Sequence, residues 1–288
     1  MAAECLDGKL LAQQIKDDLK AQATALFEET GERIRLVNIL VGQDRGASFY
    51  ARSQRRAAEE IGIDYQLLEL KESVSEMDVM SRVFDLNADP AVHGILIHKP
   101  LPAHIQDQIL SNCVGIEKDI EGMNAANIGN ILLGKSRVIP CTAAAVMEHL
   151  RAADVTLRGA EVVVVGASEI VGKPLSLLLV RQFATVTVCH IGTAEAGKLA
   201  HHVGQADVVV VAVGKPGLIT GAMIKEGAVV IDVGINKVGE KIVGDVEFDS
   251  ASARASRITP VPGGVGPLTV VMLMRNALEA FRIQKGLA

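Results

Sequence analysis

The 288-residue chain contains no tryptophan, and aromatic residues make up only 3% of it. Valine, isoleucine, leucine and alanine must therefore fill the core, and this mixture suits buried parallel strands covered by helices. Disorder is excluded, because 49% of the residues are hydrophobic and only 22% are charged. We expect an α/β protein of one large domain or two modest ones.

The sequence also lacks a surplus of positive charge. Its net charge of -5 argues against a nucleic-acid partner and against an anionic membrane surface, since both need a basic patch. The longest apolar runs, Val162–Val165 and Val208–Val213, are far shorter than the roughly 20 residues of a membrane span. We therefore expect neither nucleic acid nor membrane as a partner.

The four cysteines, Cys5, Cys113, Cys141 and Cys189, lie far apart and form no CxxC pair. This spacing suggests neither a zinc site nor a disulfide framework. Residues 1–4 lack the basic and apolar regions of a secretory signal. These features predict reduced thiols, no bound metal and a cytoplasmic location.

Short apolar runs alternate with amphipathic stretches along the chain, which predicts repeated βα units and a mostly parallel sheet. In the first half, this pattern predicts strands at 36–41, 65–70 and 94–98, and helices at 48–61 and 75–86. In the second half, it predicts strands at 162–165, 185–189, 208–213 and 229–233, with helices after the first three. The second half thus has the doubly wound pattern.

No linker rich in proline, glycine or serine separates the halves. We place the boundary in the helical segment 143–154, which gives an N-terminal domain at 1–145 and a Rossmann-type domain at 146–266. The last predicted helix, at about 267–285, is expected to pack back on the first domain.

The segment Val162–Pro174 predicts a strand, a tight turn and the start of a helix. Small residues at Gly166, Ala167 and Ser168 would let the backbone approach a phosphate, and the helix that follows offers unpaired N–H groups. The spacing is G-x-S-x-x-x-G rather than G-x-G-x-x-G. Both a dinucleotide pyrophosphate site and an ordinary βα turn are therefore open readings.

The next predicted strand ends at Cys189 and is followed by His190, Ile191, Gly192 and Thr193. A Rossmann site commonly has an acid here for the ribose hydroxyls, or an arginine for a 2′-phosphate. Neither is present, so the choice between NAD and NADP stays open. We interpret His190 as a capping or packing residue.

Twelve separated segments occur in one family's order over nearly the whole chain. They are Leu6–Lys9, Leu40–Gly42, Ser48–Tyr50, Gly94–Ile97, Pro100–Pro102, Lys118–Gly122, Pro140–Thr142, Gly166–Pro174, Val213–Pro216, Ile231–Asn236, Gly244–Val246 and Thr259–Pro267. Together they resemble the bifunctional methylenetetrahydrofolate dehydrogenase/methenyltetrahydrofolate cyclohydrolase family. The resemblance implies an N-terminal three-layer α/β folate-binding domain, a C-terminal Rossmann-type doubly wound domain, a cleft between them, NAD or NADP as cofactor, and a homodimer.

Three central positions depart from the family's motifs. The family's tyrosine is Tyr50, but its lysine position holds Gln54, its strand-end glutamine is His98, and its pterin-binding aspartate is Glu121. The resemblance implies that Tyr50, Gln54 and His98 are catalytic. Taken singly, Tyr50 could be a packing residue, Gln54 a solvated helix position, and Glu121, like Asp119, a turn residue before a glycine.

The resemblance also implies binding residues in two groups. The substrate-binding group is Tyr50, His98, Glu121, Pro262, Gly263 and Gly264. The cofactor-binding group is Thr142, Gly166, Ala167, Ser168, Val171, Gly172, Ile191 and Ile235.

The three altered positions affect the oxidation and the hydrolysis differently. Hydride removal from the methylene carbon requires mainly that folate and nicotinamide be held together, so this step can survive loss of the lysine. Hydrolysis of methenyltetrahydrofolate requires proton transfers, and Gln54 cannot titrate. Only His98, with its ordinary pKa near neutrality, is expected to substitute.

The leading hypothesis is therefore NAD(P)-dependent oxidation of 5,10-methylenetetrahydrofolate, with cyclohydrolase activity in doubt. Two alternatives stay open: a non-catalytic or regulatory homologue, and a reductase of another imine-like substrate.

Overall fold

The computed structural model describes residues 3–287, so Met1 and Ala2, which belong to the segment expected to lack a signal, lie outside the described residues. The chain divides into two compact units. The Rossmann unit contains the residues up to 12 and residues 142–269, and the N-terminal unit contains residues 13–141 and those from 270 onward. The predicted limits differ from this division near the N-terminus, where residues 3–12 group with the Rossmann unit.

Eleven α-helices, one 3-10 helix and eleven strands occur within residues 3–287. The helices are α1 Gly8–Thr30, α2 Arg45–Ile61, α3 Glu76–Ala88, α4 Asp107–Cys113, α5 Ala125–Leu132, α6 Cys141–Ala152, α7 Gly172–Arg181, α8 Ile191–Glu195, α9 Leu199–Val203, the 3-10 helix Gly221–Met223, α10 Phe248–Ser252 and α11 Val265–Lys285. The strands are β1 Glu4–Cys5, β2 Arg35–Val41, β3 Asp64–Leu70, β4 Gly94–Ile97, β5 Glu161–Val165, β6 Thr185–Cys189, β7 Val208–Val211, β8 Val229–Asp232, β9 Asn236–Val238, β10 Lys241–Val243 and β11 Arg257–Ile258.

The N-terminal unit is built on a parallel sheet of three strands in the order β3-β2-β4. Successive residues of β2 point to opposite faces. Val37 and Ile39 join a buried cluster with Val79 and Val83 of α3, while Asn38 contacts α2 on the other face. Helices on both faces give the predicted three layers.

The Rossmann unit contains a parallel sheet in the order β1-β11-β8-β7-β5-β6. The four predicted valine-rich runs form its centre, and β5 lies between β6 and β7. The change of direction beside β5 is a topological switch point, where doubly wound sheets bind ligands at the carboxyl ends of the strands. The predicted doubly wound pattern is confirmed.

The two ends of the chain join different units. Strand β1 extends the Rossmann sheet by pairing with β11, and the Arg257 guanidinium lies 3.0 Å from the Glu4 carboxylate. This pairing explains why the first residues group with the Rossmann unit. No helix within residues 3–287 is long and apolar enough to cross a bilayer.

Candidate active site

Helix α2 carries two of the predicted site residues. It begins after Asp44, whose carboxylate accepts the backbone N–H of Ala47 at 2.8 Å, and it ends at Gly62 in the left-handed conformation. Between these caps, Tyr50 and Gln54 lie one turn apart. Gln54 is fully buried, which excludes a solvated helix position.

His98 lies one residue beyond β4. Its backbone N–H donates to the Ile39 carbonyl at 2.8 Å, which continues the strand pairing as far as His98. Because side chains alternate along a strand, the His98 side chain projects from the sheet face that carries Leu96. The imidazole meets the Tyr50 ring edge-on, with 6.4 Å between the ring centroids. Within the described residues, its buried Nε2 has no hydrogen-bond partner.

Burial changes the protonation expected of this ring. Removal from water lowers the pKa of His98 to about 4, so the imidazole is neutral at pH 7. The expectation that His98 titrates near neutrality is therefore wrong. Tyr50 is also neutral, because burial, with help from Cys141 and Glu121, raises its pKa.

Gln54 belongs to a buried polar cluster. Asn38 of β2 donates from Nδ2 to Gln54 Oε1 at 2.7 Å and to the Tyr65 hydroxyl of β3 at 3.0 Å. The Tyr65 hydroxyl lies 3.4 Å from the same Gln54 oxygen, to which it donates. Gln54 Nε2 and Asn38 Oδ1 are buried, and neither forms a hydrogen bond of normal geometry among the described residues. The Gln54 side chain is nevertheless close enough to the Tyr50 hydroxyl to oppose the rise of the Tyr50 pKa. Asn38 and Tyr65 were not among the residues predicted from the sequence.

The Glu121 carboxyl titrates near neutral pH. Burial raises the pKa of its carboxyl to about 7, an effect that Lys99 opposes and that Asp119 and Asp107 reinforce. Lys99 is itself paired with Asp107 at 2.8 Å. Glu121 therefore holds only part of a negative charge at pH 7.

The loop around Glu121 is held from two sides. The Asp119 carboxylate accepts the backbone N–H groups of Gly122 and Asn124 at 2.9 and 2.8 Å, as expected of a turn residue. From α11, Asn276 Nδ2 donates to the Ile120 carbonyl at 2.9 Å. Asn276 was not predicted as a site residue; it follows Arg275 just after the apolar run Val270–Met274.

The turn after β5 contains the candidate phosphate-binding residues. Gly166 has a φ of 119°, and a Cβ there would lie 2.2 Å from the Ala212 carbonyl oxygen. A Cβ on Gly172 would lie 1.9 Å from the Gly166 carbonyl oxygen. The Ser168 hydroxyl accepts the Val171 N–H at 3.2 Å, and no side chain caps α7. Close packing of backbone against backbone therefore requires glycine at both positions, and the Lys173 N–H donates to the Ser168 carbonyl at 3.0 Å.

His190 caps α8, which is one of the two roles, capping or packing, that the sequence predicts. Its Nδ1 accepts the Gly192 N–H at 3.1 Å, and its own N–H donates to the Thr193 hydroxyl at 3.2 Å. The predicted cofactor residues Ile191 and Ile235 are 74% and 68% exposed, which leaves both side chains available to a ligand. Predicted residue Thr142 lies in the first turn of α6, and Ala167 follows Gly166 in the turn.

Two buried aspartates shape the loops after β7 and β8. Asp232 Oδ1 accepts the N–H groups of Gly234 and Asp245 at 2.9 and 3.0 Å. Burial raises the pKa of Asp232 to about 6, although three backbone donors, at Val246, Asp245 and Gly234, oppose that rise. The two aspartates, Asp232 and Asp245, lie in the segments that carry the family resemblance, but neither was predicted as a site residue.

The loop Pro262–Gly264 belongs to the Rossmann unit. The Gly264 N–H donates to the Pro260 carbonyl at 2.8 Å, and the Gly8 N–H donates to the Gly263 carbonyl at 3.0 Å. Buried His149 interacts with the Gly264 backbone, which partly offsets the lowering of the His149 pKa by burial. The predicted substrate residues are thus divided, with Tyr50, His98 and Glu121 in the N-terminal unit and Pro262–Gly264 in the Rossmann unit.

Comparison with known protein families identifies both parts of the chain. Residues 6–121 match the catalytic domain of tetrahydrofolate dehydrogenase/cyclohydrolase, and residues 140–285 match its NAD(P)-binding domain. The chain belongs to the tetrahydrofolate dehydrogenase/cyclohydrolase family. The resemblance inferred from the sequence motifs is confirmed.

Members of the family match over nearly the full length. The bifunctional protein FolD of Moorella thermoacetica is 46% identical over 283 residues, which cover 98% of this chain and 100% of the relative. The crystal structure of the bifunctional enzyme FolD from Campylobacter jejuni covers 100% of both chains, with a TM-score of 0.94 and 39% identity. That of the Trypanosoma brucei FolD, complexed with NADP cofactor and inhibitor, covers 98% of both chains, with a TM-score of 0.93 and 38% identity. The fold of this family member is therefore the two-domain α/β fold expected from the sequence.

Proposed function

We propose that this protein oxidises 5,10-methylenetetrahydrofolate to 5,10-methenyltetrahydrofolate with NAD(P), and that it has little methenyltetrahydrofolate cyclohydrolase activity. Family membership supports the first part, since similar chains are named bifunctional FolD. The second part depends on one observation: Gln54 is a buried neutral amide whose oxygen is occupied by Asn38 and Tyr65.

The oxidation makes modest chemical demands on the protein. The methylene carbon loses a hydride, and the resulting cation is shared by the two folate nitrogens beside it. When bound, the nicotinamide supplies the hydride acceptor. Tyr50 and His98 are neutral, and their rings contact each other edge-on, while the partly ionised Glu121 carboxylate favours a cationic product over a neutral substrate.

Hydrolysis requires a group that moves protons near neutral pH. Gln54 has no titratable proton, and His98, with a pKa of about 4, is almost never protonated at pH 7. Glu121 titrates at about pH 7, but its proposed task is to bind the pterin ring. We therefore expect methenyltetrahydrofolate to leave the enzyme largely unhydrolysed.

An absorbance assay tests both parts. The purified protein is mixed with methylenetetrahydrofolate and either NAD or NADP, and formation of the methenyl product is followed for each cofactor. Methenyltetrahydrofolate is then supplied alone, and its decay is compared with the uncatalysed rate. Product formation with slow decay is the expected result. Rapid enzyme-dependent decay would refute the second part, and no product with either cofactor would refute the first.

The same assay resolves the cofactor preference. The position after β6 that usually contacts the ribose is occupied by the capping residue His190, so neither a carboxylate nor a guanidinium selects the cofactor there. The ratio of kcat/KM for NAD and NADP gives the preference directly.

We also propose that the protein is a homodimer, as the family resemblance implies. Strand β6 is an edge of the Rossmann sheet, and Val188 on this strand and Phe183 just before it are 36% and 67% exposed. An apolar open edge is suited to pairing with a second copy. Sedimentation equilibrium should give twice the mass of the chain, and Val188→Glu should shift the equilibrium toward the monomer. A monomer at micromolar concentration in the unmodified protein would refute the proposal.

A further inference from the structure

Asn38 is an unusual residue for its place in the fold. It lies in the central strand of the three-stranded sheet, is fully buried, and has the apolar neighbours Val37 and Ile39 on either side. A buried amide in such a strand is costly unless it forms hydrogen bonds. Both bonds from its Nδ2 go to the cluster around Gln54, at 2.7 Å to the Gln54 oxygen and at 3.0 Å to the Tyr65 hydroxyl.

We propose that Asn38, assisted by Tyr65, is a positioning residue that sets the orientation of the Gln54 amide, so that Gln54 Nε2 donates a hydrogen bond to an oxygen or nitrogen of the reduced pterin. This proposal rests on the proposed function, because it assigns the folate substrate to that site. It adds a task for Gln54 that replaces proton transfer.

The hydrogen bonds determine which end of the amide is free. Two donors, Asn38 Nδ2 and the Tyr65 hydroxyl, converge on Gln54 Oε1. Turning the Gln54 amide alone would place its NH2 group against the NH2 group of Asn38, and the hydrogen bond between these two side chains would be lost. With Asn38 Nδ2 directed toward α2, the Gln54 oxygen therefore points toward the sheet.

The nitrogen that remains is buried and forms no hydrogen bond of normal geometry within residues 3–287, although the Gln54 side chain lies close enough to the Tyr50 hydroxyl to lower the Tyr50 pKa. A buried donor without an acceptor costs stability, and an acceptor on a bound ligand would remove that cost. Gln54 lies one helical turn from Tyr50, whose ring contacts His98. The free N–H groups therefore belong to the same cluster as the other two proposed catalytic side chains.

Four single variants test the arrangement. Asn38→Leu removes the donor at similar volume, Tyr65→Phe removes one hydroxyl, and Gln54→Leu removes the amide. Asn38→Asp reverses the polarity of the cluster: the carboxylate accepts from Gln54 Nε2 and turns Gln54 Oε1 away from the sheet. Val37→Ala is the matched control, because this neighbour is equally buried but faces the opposite side of the sheet.

The readouts are kcat and KM for methylenetetrahydrofolate, KM for the nicotinamide cofactor, and the thermal midpoint. We expect Asn38→Leu and Gln54→Leu each to raise the folate KM about tenfold, the scale of one hydrogen bond. A double variant that combines Asn38→Leu with Gln54→Leu should be no worse than Gln54→Leu, because both substitutions remove the same interaction. Asn38→Asp should raise the folate KM at least as much, and Tyr65→Phe about threefold. The cofactor KM should not change, and Val37→Ala should lower only the thermal midpoint.

Several results would overturn the inference while the unmodified enzyme remains active. These are an unchanged folate KM in Asn38→Leu, additive effects in the double variant, or an Asn38→Asp variant that binds folate as well as the unmodified enzyme. If Asn38→Leu does not fold, an unchanged folate KM in Tyr65→Phe is equally decisive. A complete lack of turnover in the unmodified protein would instead refute the proposed function, so the two failures are distinct.

Discussion

The Asp232 carboxylate accepts the backbone N–H of Asp245 at 3.0 Å, and the Asp245 carboxylate in turn accepts the backbone N–H groups of Val213 and Gly214 at 2.7 and 2.9 Å. Two side chains thereby join the loops that follow β7 and β8. Both loops lie at the carboxyl edge of the sheet, where the doubly wound fold binds its ligand.

Replacement of the Asp245 carboxylate should affect both stability and cofactor binding. In Asp245→Asn, the NH2 group faces backbone donors, so we expect a loss of about 1–3 kcal/mol in the free energy of unfolding and a higher cofactor KM. Urea denaturation and initial-rate kinetics measure the two effects. Asp249→Asn on the exposed start of α10 is the control and should be nearly neutral. An unchanged cofactor KM would show that these loops do not shape the cofactor site.

Folate binding should depend on pH through Glu121. Its pKa is raised to about 7, so the carboxylate forms as pH increases from 6 to 8. If the ionised form binds the pterin, kcat/KM for folate rises over this interval with a midpoint near 7. The rise should disappear in Glu121→Gln, while Glu121→Asp should keep a pH-dependent step. A flat profile in the unmodified enzyme would contradict this role.

The Glu121 carboxyl should also make protein stability depend on pH. Stability should fall as the pH rises, whereas folate binding should improve. Because its pKa is raised above the unfolded value of 4.5, the folded state favours the protonated form. Its contribution to stability is therefore complete below pH 4.5 and is lost as pH rises through 7. Thermal unfolding of the unmodified protein and of Glu121→Gln should converge at low pH and differ above pH 7, with the variant the more stable. The reverse ranking above pH 7 would show that Glu121 is stabilised as a carboxylate.

A lysine at position 54 should restore hydrolysis. In Gln54→Lys, burial would lower the pKa of the ammonium toward neutrality and provide a group able to transfer protons. We expect the decay of methenyltetrahydrofolate to accelerate by about 10²-fold or more, the usual scale of general acid–base catalysis. Gln54→Met is the control, since it has similar length and no titratable group. Equal decay rates in both variants would mean that other residues limit hydrolysis.

The turn after β5 should tolerate no side chain at Gly172. A Cβ would lie 1.9 Å from the Gly166 carbonyl oxygen, so the backbone must shift. We expect Gly172→Ala to cost about 3 kcal/mol in stability and to weaken binding of both NAD and NADP. Gly129→Ala provides the comparison, because nothing lies within 4 Å of a Cβ there. That variant should be neutral or more stable by about 0.5–1 kcal/mol. Normal cofactor binding in Gly172→Ala would argue against a phosphate-binding turn.

The strands were the most predictable part of the fold. Runs such as Val162–Val165 are short, β-branched and bounded by turn residues, and they form strands in the structure. Helix α1 is absent from the sequence-based predictions, although Ala12, Ile15, Leu19 and Leu26 are buried at helical spacing. The pairing of β1 with β11 could not be predicted, because it joins two-residue strands more than 250 positions apart.

Motifs specify the residue types of the candidate site, but burial decides their chemistry. Motif positions selected Tyr50, Gln54 and His98 as candidates, but the ordinary pKa of histidine overstates how readily the buried His98 takes up a proton. Asn38 escaped prediction because an isolated amide in an apolar strand has no sequence signal for its partner. Its role depends on the register that places Asn38 beside Leu67 and Leu96, on the face covered by α2.

The division of the chain into units has a consequence for biosynthesis. The chain passes between the units at 12–13, 141–142 and 269–270, so each unit is assembled from segments distant in sequence. Leu273, Leu278 and Phe281, fully enclosed in the N-terminal unit, leave the ribosome only after the whole of residues 142–269. The apolar interior of the nascent N-terminal unit is therefore unsealed while the Rossmann unit is being synthesised, and chaperone protection matters during that interval.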